Sequence, residues 1–154
     1  SGRYTVTRPL QMGAALGGTD PDLDRMLSTF GDAVGVAFQL RDDVLGLLGD
    51  PDTTGKGSLE DIREGKRTML ILHARDQATP AQRAVLDRVV GNPDATRDDA
   101  DAVRQIVVDT GAADHVEAHL TGLRADADRA VEHLPDPSRS ALLELASVAV
   151  DRSA

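Results

Sequence analysis

The chain has 154 residues, enough for one domain or a piece of one, and it contains no cysteine, so neither a disulfide framework nor thiolate chemistry is expected. Its formal net charge of −9, without a basic stripe, argues against nucleic acid as a partner. No run of about 18 apolar residues and no signal-peptide pattern occurs, so we expect no membrane span. We expect a cytoplasmic location, with which the absence of cysteine agrees.

The apolar pattern predicts helices along the whole chain. With two Phe, one Tyr and no Trp, the core must be built from Leu, Val, Ala and Ile, which suits closely packed helices. In chain order the predicted helices span about 4–16, 21–48, 68–75, 80–90, 97–110, 112–133 and 137–150. No pair of strands with hairpin turns is predicted, so the expected fold class is all-α.

Several helices carry recognisable start signals. Thr96 with Asp99 matches a capping box. Gly31 and Gly35, one turn apart in the second helix, predict the close approach of a neighbouring helix or a ligand. The other predicted N-caps, each followed by Pro, are Asp20, Thr79 and Asp136.

The second helix has an acidic wall inside an otherwise apolar segment. Successive residues of an α-helix are rotated by about 100° around the helix axis, so five positions of this helix point within roughly 60° of one direction and form its polar wall. The wall comprises Gln39, Asp42, Asp43, Gly46 and Asp50. Two half-buried carboxylates repel each other and lose hydration, and a divalent cation with oxygen ligands offsets both effects. The alternative is that Asp42 and Asp43 are solvated or cap a helix, as acidic pairs often do in an acidic chain.

Other motif-like patterns fit their chemistry poorly. Segment 50–61 resembles a calcium loop, but Pro51 is awkward there and Asp61 replaces the bidentate Glu. Segment 49–56 has the wrong spacing for a P-loop and no strand before it. His115 and His119 lie one turn apart without a third ligand, so an exposed helix surface explains them better than a metal site. His73 and His133 are interpreted as packing or surface residues.

The acidic wall and the charged segment after it carry a specific resemblance. The runs are FQLRDDVLGLLGD, then TGK, then DIREGKRT. Together they resemble the second aspartate-rich region of the trans-type polyprenyl diphosphate synthases. The first ten residues are similar to the segment after the family's mid-chain Lys, and the last residues are similar to its C-terminal helix. The resemblance implies that residues 1–154 form the C-terminal half of one domain of the isoprenoid-synthase helical bundle.

The resemblance also implies a reaction and a set of site residues. Enzymes of this family ionise an allylic diphosphate, let isopentenyl diphosphate attack the cation, and release a proton to give a longer polyprenyl diphosphate. Mg²⁺ and basic side chains stabilise the departing diphosphate. The implied catalytic residues are Asp42, Asp43, Lys56 and Lys66. The implied metal ligands are Asp42 and Asp43, with Asp61 in an outer shell, and the implied diphosphate contacts are Gln39, Lys56, Lys66 and Thr68. Arg63 and Arg67 either assist the lysines or are solvated loop residues.

Two departures from the family pattern bear on function. The full acidic motif is Asp-Asp-x-x-Asp, and Gly46 stands at its fifth place, with Asp50 one turn further along the same face. The first aspartate-rich motif and the residues that set product length belong to an N-terminal half that this chain lacks. The family's mid-chain Lys would immediately precede Ser1, so we expect a proteolytic product or a fragment.

Two hypotheses of function follow. In the first, the chain supplies the second metal- and diphosphate-binding half of a prenyltransferase site, its partners being the N-terminal half and a second copy in a homodimer, and it is inactive alone. In the second, the chain is a noncatalytic helical subunit that partners a complete prenyl diphosphate synthase. The sequence upstream of Ser1 would separate them.

Overall fold

The computed structural model describes residues 3–18, 20–49 and 58–151, without the side chains of Arg3 and Ser58. All regular structure in these ranges is helical, which confirms the predicted all-α class. A π-helical turn, Arg3–Thr7, comes first. The α-helices of the described ranges are α1 (Arg8–Leu16), α2 (Pro21–Leu48), α3 (Ser58–Arg63), α4 (Met69–Gln77), α5 (Pro80–Val89), α6 (Arg97–Asp109), α7 (Ala112–Ala130) and α8 (Ser138–Val150). None of these is long and apolar enough to cross a membrane.

Most of the predicted helix starts are confirmed. The Leu23 N–H donates to Asp20 Oδ1 at 2.8 Å, which caps α2. Thr96 and Asp99 form a reciprocal capping box at α6, and Thr79 begins a second box at α5. The N–H groups in the first turn of a helix have no acceptor within the helix, and each of these caps supplies a hydrogen-bond acceptor to one of them.

Three predictions of secondary structure are wrong. Asp136 does not cap the last helix, because Pro137 takes the N-cap position and Asp136 Oδ1 accepts from Ser140 Oγ at 2.6 Å. α7 ends at Ala130 rather than near residue 133. α3 lies in the charged segment after α2, where no helix is predicted, since its six residues are too few to show a helical period.

Contacts divide the chain into two compact units, the first comprising residues 1–41 and 119–152. Its core contains Phe30, Ala33, Val34, Ala127, Val131, Ala146 and Ala149. Gly31 allows the π-helical turn to approach, because a Cβ there would lie 2.7 Å from Thr7 Cα. Thr7 Oγ1 also donates to Asp32 Oδ1 at 2.8 Å. The close approach predicted at Gly31 is therefore confirmed.

The second unit contains residues 42–118. Its α6 contacts α3, α4 and α5. The buried side of α6 has the helical spacing of an apolar face, and it consists of Ala100, Val103, Ile106 and Val107. This packing positions α3 and α4, and three of the predicted site residues lie on α3 (Asp61) or in the connection between α3 and α4 (Lys66 and Thr68).

Candidate active site

Polar side chains from α2, α3 and the segment after α3 meet at one small cavity in the second unit. Asp43 comes from α2, Asp61 from α3, and Lys66 and Thr68 from the connection to α4. The apolar part of the lining consists of Leu47, Ile62, Ile71 and Val90. The structure therefore brings four of the predicted site residues around the same space, where two carboxylates, an ammonium and a hydroxyl face a partly apolar wall.

The backbone at the end of α3 places Lys66. Gly65 has a φ of +68°; its N–H donates to Ile62 O at 3.0 Å, and the Lys66 N–H donates to Asp61 O at 3.2 Å. This pair of hydrogen bonds is a Schellman motif, which favours Gly at its left-handed position. A Cβ on Gly65 would also lie 3.0 Å from Gly91 Cα. The backbone conformation at the end of α3 therefore fixes the direction in which the Lys66 side chain starts from the main chain.

Asp61 and Lys66 are joined by their side chains as well. Lys66 Nζ lies 2.5 Å from Asp61 Oδ1 and 3.6 Å from Glu64 Oε2. The hydrogen bond to Asp61, with the charges of both carboxylates, raises the pKa of Lys66 above its ordinary value of 10.5 against the opposing effect of burial. The Lys66 side chain is 47% exposed, so screening by water keeps the stabilisation from this pair small. Lys66 is therefore a cation at neutral pH, held beside the cavity.

The Asp61 carboxylate also fills the space beside Gly46. A Cβ at position 46 would lie 2.7 Å from Asp61 Oδ2. Position 46 is four residues after Asp42 and three after Asp43, so all three are neighbours on one side of α2. Carboxylate oxygens are the ligands that Mg²⁺ prefers, so this donor set fits that ion chemically. Within the described ranges no three acidic, His or Cys side chains are grouped to hold a metal, so water molecules or phosphate oxygens would have to complete its coordination.

Two other residues of the charged segment have structural partners. Thr68 Oγ1 accepts the N–H of Ile71 at 3.3 Å, which makes Thr68 the N-cap of α4. Arg63 donates from Nε and Nη2 to Ala95 O at 3.0 and 2.7 Å. Arg63 is therefore not simply a solvated loop residue, because its guanidinium fastens α3 to the turn before α6. Arg67 is exposed.

The functional roles of all the predicted site residues stay predictions, and some of these residues do not line the cavity. On α2, Asp42 is half-buried and Gln39 is exposed, and neither belongs to the described lining of the cavity. Lys56 and Asp50 lie outside the described residues, as does most of the segment compared with a calcium loop and a P-loop.

Arg104 of α6 supports the site and was not predicted from the sequence. Its Nε donates to Leu47 O at 2.9 Å, and its guanidinium also bonds the carboxylate of Asp101. Leu47 lines the cavity one turn after Asp43, so Arg104 satisfies a carbonyl that the end of α2 leaves without a helical partner. The sequence shows only that Arg104 is a charged residue beside the apolar face of α6. This pattern does not identify Leu47, 57 residues away, as its hydrogen-bond partner.

The histidines lie apart from this cavity lining. His115 and His119 are exposed, as predicted. His115 stacks on His73 of α4 with ring centroids 4.0 Å apart and an interplanar angle of 17°. This contact gives His73 the packing role that the sequence suggested as one possibility.

The fold and the cavity define, in the described part of the chain, an all-helical protein in which Asp43, Asp61 and Lys66 meet at one place. Residues 1–107 match the sequence model of the family described as Polyprenyl synthetase. The chain belongs to the polyprenyl synthetase family, which confirms the resemblance found in the sequence.

Relatives and solved structures agree with this membership. The chain is 38% identical over 108 residues to geranylfarnesyl diphosphate synthase of Aeropyrum pernix, across 70% of this chain and 33% of the relative. It is 31% identical over 146 residues to octaprenyl diphosphate synthase of Escherichia coli, across 92% of this chain and 44% of the relative. The structure of geranylgeranyl pyrophosphate synthase from Corynebacterium glutamicum, complexed with isoprenyl diphosphate and magnesium, matches with a TM-score of 0.91 and 36% identity over 99% of this chain and 44% of that one. The chain thus spans less than half the length of these relatives.

Proposed function

We propose that this chain forms the second diphosphate- and metal-binding half of a prenyltransferase that condenses isopentenyl diphosphate with an allylic diphosphate. The observation that carries the proposal is the convergence of Asp43, Asp61, Lys66 and Thr68 on one cavity. The relatives support it, since those of Aeropyrum pernix and Escherichia coli are polyprenyl diphosphate synthases and the Corynebacterium glutamicum structure contains isoprenyl diphosphate with magnesium.

The difficult step of such a reaction is the departure of diphosphate. Negative charge grows on the phosphate oxygens as the allylic carbon–oxygen bond breaks, so groups that bind this charge lower the barrier. Lys66 suits this role because its compact ammonium stays protonated and is held at the cavity by Asp61. Its exposed side allows a diphosphate oxygen to approach from solvent. Lys66 therefore donates to the substrate when it binds and to the leaving group when it departs.

The carboxylates have the complementary task. Asp42, Asp43 and Asp61 are the residues proposed to hold Mg²⁺, which when bound neutralises charge on the phosphate oxygens. Asp61 Oδ1 lies against Lys66 Nζ, while Asp61 Oδ2 faces α2 at Gly46. The two oxygens of Asp61 thus have separate neighbours, so the carboxylate that orients Lys66 would also support a bound Mg²⁺ from its outer shell.

The start of α4 adds a further donor. Thr68 lines the cavity and caps α4, and its Oγ1 accepts the Ile71 N–H, so its own O–H proton remains to donate to a phosphate oxygen. The positive end of the dipole of α4 is at this point and favours an anion. By resemblance, Gln39 and Lys56 complete the contacts to the allylic diphosphate.

The proposal includes the partners that the relatives' length implies. The N-terminal half of the same enzyme would contribute the first aspartate-rich motif and enclose the site, and two copies would form a homodimer. The second hypothesis, a noncatalytic subunit of a complete synthase, is favoured by one observation, which is Gly46 at a place where the family pattern has an acidic residue.

A condensation assay tests the proposal. The full-length gene product and residues 1–154 alone are each incubated with Mg²⁺, isopentenyl diphosphate and an allylic diphosphate, and their size in solution is measured. We expect elongation by the full-length protein and none by residues 1–154, because one half of the site cannot exclude water from a carbocation. Turnover by residues 1–154 as a monomer contradicts the half-site, and a full-length protein without turnover favours the noncatalytic subunit.

A further inference from the structure

The helix that carries Asp61 is too short to hold itself in place. α3 has six residues, Ser58–Arg63, and isolated helices of fewer than about 12 residues are marginal in water. Among its described side chains, that of Ile62 is the buried one. The orientation of α3 therefore depends on contacts with neighbouring elements. The place of the Asp61–Lys66 pair depends on the same contacts, because local hydrogen bonds join this pair to the end of α3.

These contacts lead to the connection between α5 and α6, residues 90–96. The Gly91 N–H donates to Ile62 O at 2.8 Å. Arg63 donates from Nε and Nη2 to Ala95 O at 3.0 and 2.7 Å. The backbone of α3 and its last side chain are thus both fastened to one short connection, which sets the orientation of the helix.

The acceptor of Arg63 makes this contact costly to lose. Ala95 is fully buried, and Arg63 supplies both hydrogen bonds that its carbonyl accepts from the described residues. A buried carbonyl that loses its donors costs more than the net value of the hydrogen bonds themselves. The turn at Ala95 is held separately, since the Ala95 N–H donates to Asn92 O at 3.1 Å and the Asp94 N–H to Asn92 Oδ1 at 3.0 Å. The turn is therefore a fixed point, and α3 is the part that shifts when Arg63 is lost.

The guanidinium of Arg63 is directed to this turn and not to the cavity. Arg63 does not belong to the described lining, which includes Asp61 and Lys66. We propose that Arg63 is a positioning residue, which acts on the bound diphosphate through the Asp61–Lys66 pair by fastening α3 to the 90–96 connection. This inference rests on the proposed function. It replaces both roles that the sequence left open for Arg63, direct assistance to the lysines and a solvated loop residue.

A positioning residue and a direct phosphate contact differ in how they depend on Lys66. If Arg63 acts through Lys66, removal of Arg63 weakens diphosphate binding while Lys66 is present and has little further effect once Lys66 is removed. If Arg63 contacts the phosphate itself, the two losses add, because independent contacts have additive effects. A loss of stability alone predicts neither result, since it leaves the affinity of the folded protein unchanged.

The test is calorimetric binding of inorganic diphosphate, with Mg²⁺, to the full-length gene product. The variants are Arg63→Ala, Lys66→Ala and the double variant Arg63→Ala/Lys66→Ala. Arg67→Ala is the matched control, because Arg67 is an exposed cation of the same segment that does not belong to the described cavity lining. We expect Arg63→Ala to weaken binding about fivefold or more, as loss of hydrogen bonds made by a charged group does. In the Lys66→Ala background the same change should weaken it by less than about twofold. Arg67→Ala should bind within about twofold of wild type, because an exposed charge contributes little.

The outcomes separate this inference from the proposed function. Losses that add in the double variant overturn the positioning role alone, as does an Arg63→Ala protein that binds like wild type or like Arg67→Ala. If Arg63→Ala does not fold, as judged by circular dichroism, the same cycle with Arg63→Lys decides. Lys keeps the charge but cannot present two N–H groups from one rigid plane, so a loss that depends on Lys66 supports the role and an unchanged affinity overturns it. Wild-type protein that binds no diphosphate, or a Lys66→Ala protein that binds it as well as wild type, overturns the proposed function together with this inference.

Discussion

Replacement of Gly65 by Ala should destabilise the second unit more than the same change at another left-handed glycine. A left-handed backbone disfavours a Cβ by roughly 1–2 kcal/mol, and roughly 0.4–1 kcal/mol returns because Ala restricts the unfolded chain. Gly111 has a φ of +70° and open space around it, so its net loss should be about 0.5–1 kcal/mol. Gly65 has a φ of +68°, but its Cβ would also lie 3.0 Å from the backbone at Gly91. Overpacking of that kind adds about 1–3 kcal/mol, giving a total of about 1.5–4 kcal/mol.

The pair Gly65→Ala and Gly111→Ala isolates this close approach. Urea denaturation followed by circular dichroism gives the free energy of unfolding of each variant at an unchanged m value. Exchange of the Gly91 amide hydrogen reports the contact directly, since this N–H donates to Ile62 O at 2.8 Å. We expect faster exchange in Gly65→Ala only. Equal destabilisation by the two substitutions would refute the reasoning that the approach of Gly91 selects Gly at position 65.

Two further predictions concern acidic residues. Asp43→Ala in the full-length protein should lower turnover at least about a hundredfold, and Asp42→Ala should lower it comparably or somewhat less. Each substitution removes a proposed Mg²⁺ ligand beside the charge that develops on the departing diphosphate. Turnover within about threefold of wild type for both variants would contradict the metal assignment. Asp99→Ala should lower the melting temperature at neutral pH, because hydrogen bonds from the Thr96 backbone and side chain lower the pKa of Asp99. This stabilisation is present above the ordinary pKa of 3.8 and is lost as pH falls through the lower value in the folded state. The melting temperatures of wild type and Asp99→Ala should therefore converge in acid, and a difference that stays constant with pH would contradict this account of the cap.

Much of the fold was predictable because its signals are local. Asp20, Thr79 and Thr96 cap helices by hydrogen bonds within three residues of themselves, and such patterns are visible in the sequence. Asp136 shows the limit of this rule, because an Asp before Pro is also compatible with a cap one residue later. α3 was missed because Gly and charged residues surround its six positions and conceal the start of a helix.

The candidate site was predictable in its composition but not in its contacts. Motif resemblance selected Asp43, Asp61, Lys66 and Thr68, and all four line one cavity. The hydrogen bonds that hold this region join residues far apart in sequence, such as Arg104 to Leu47 O, 57 positions away. The clash that a side chain at 46 would make with Asp61 likewise depends on how α2 and α3 pack. The local sequence pattern carries no information about contacts between residues far apart in the chain, so these contacts are visible only in the tertiary structure.

Lys66 and its neighbours are proposed to hold the diphosphate of an allylic substrate. The most direct measurement is calorimetric binding of a nonreactive allylic diphosphate analogue, with Mg²⁺, to the full-length wild-type protein, Lys66→Ala and Arg67→Ala. Arg67 is the control because it is an exposed cation next in sequence that does not belong to the described cavity lining. We predict that Lys66→Ala weakens binding by roughly 1.5–3 kcal/mol, the range for hydrogen bonds to charged groups, with a smaller effect on isopentenyl diphosphate and on Arg67→Ala. Equal losses in Lys66→Ala and Arg67→Ala, or no loss in Lys66→Ala, would contradict the claim.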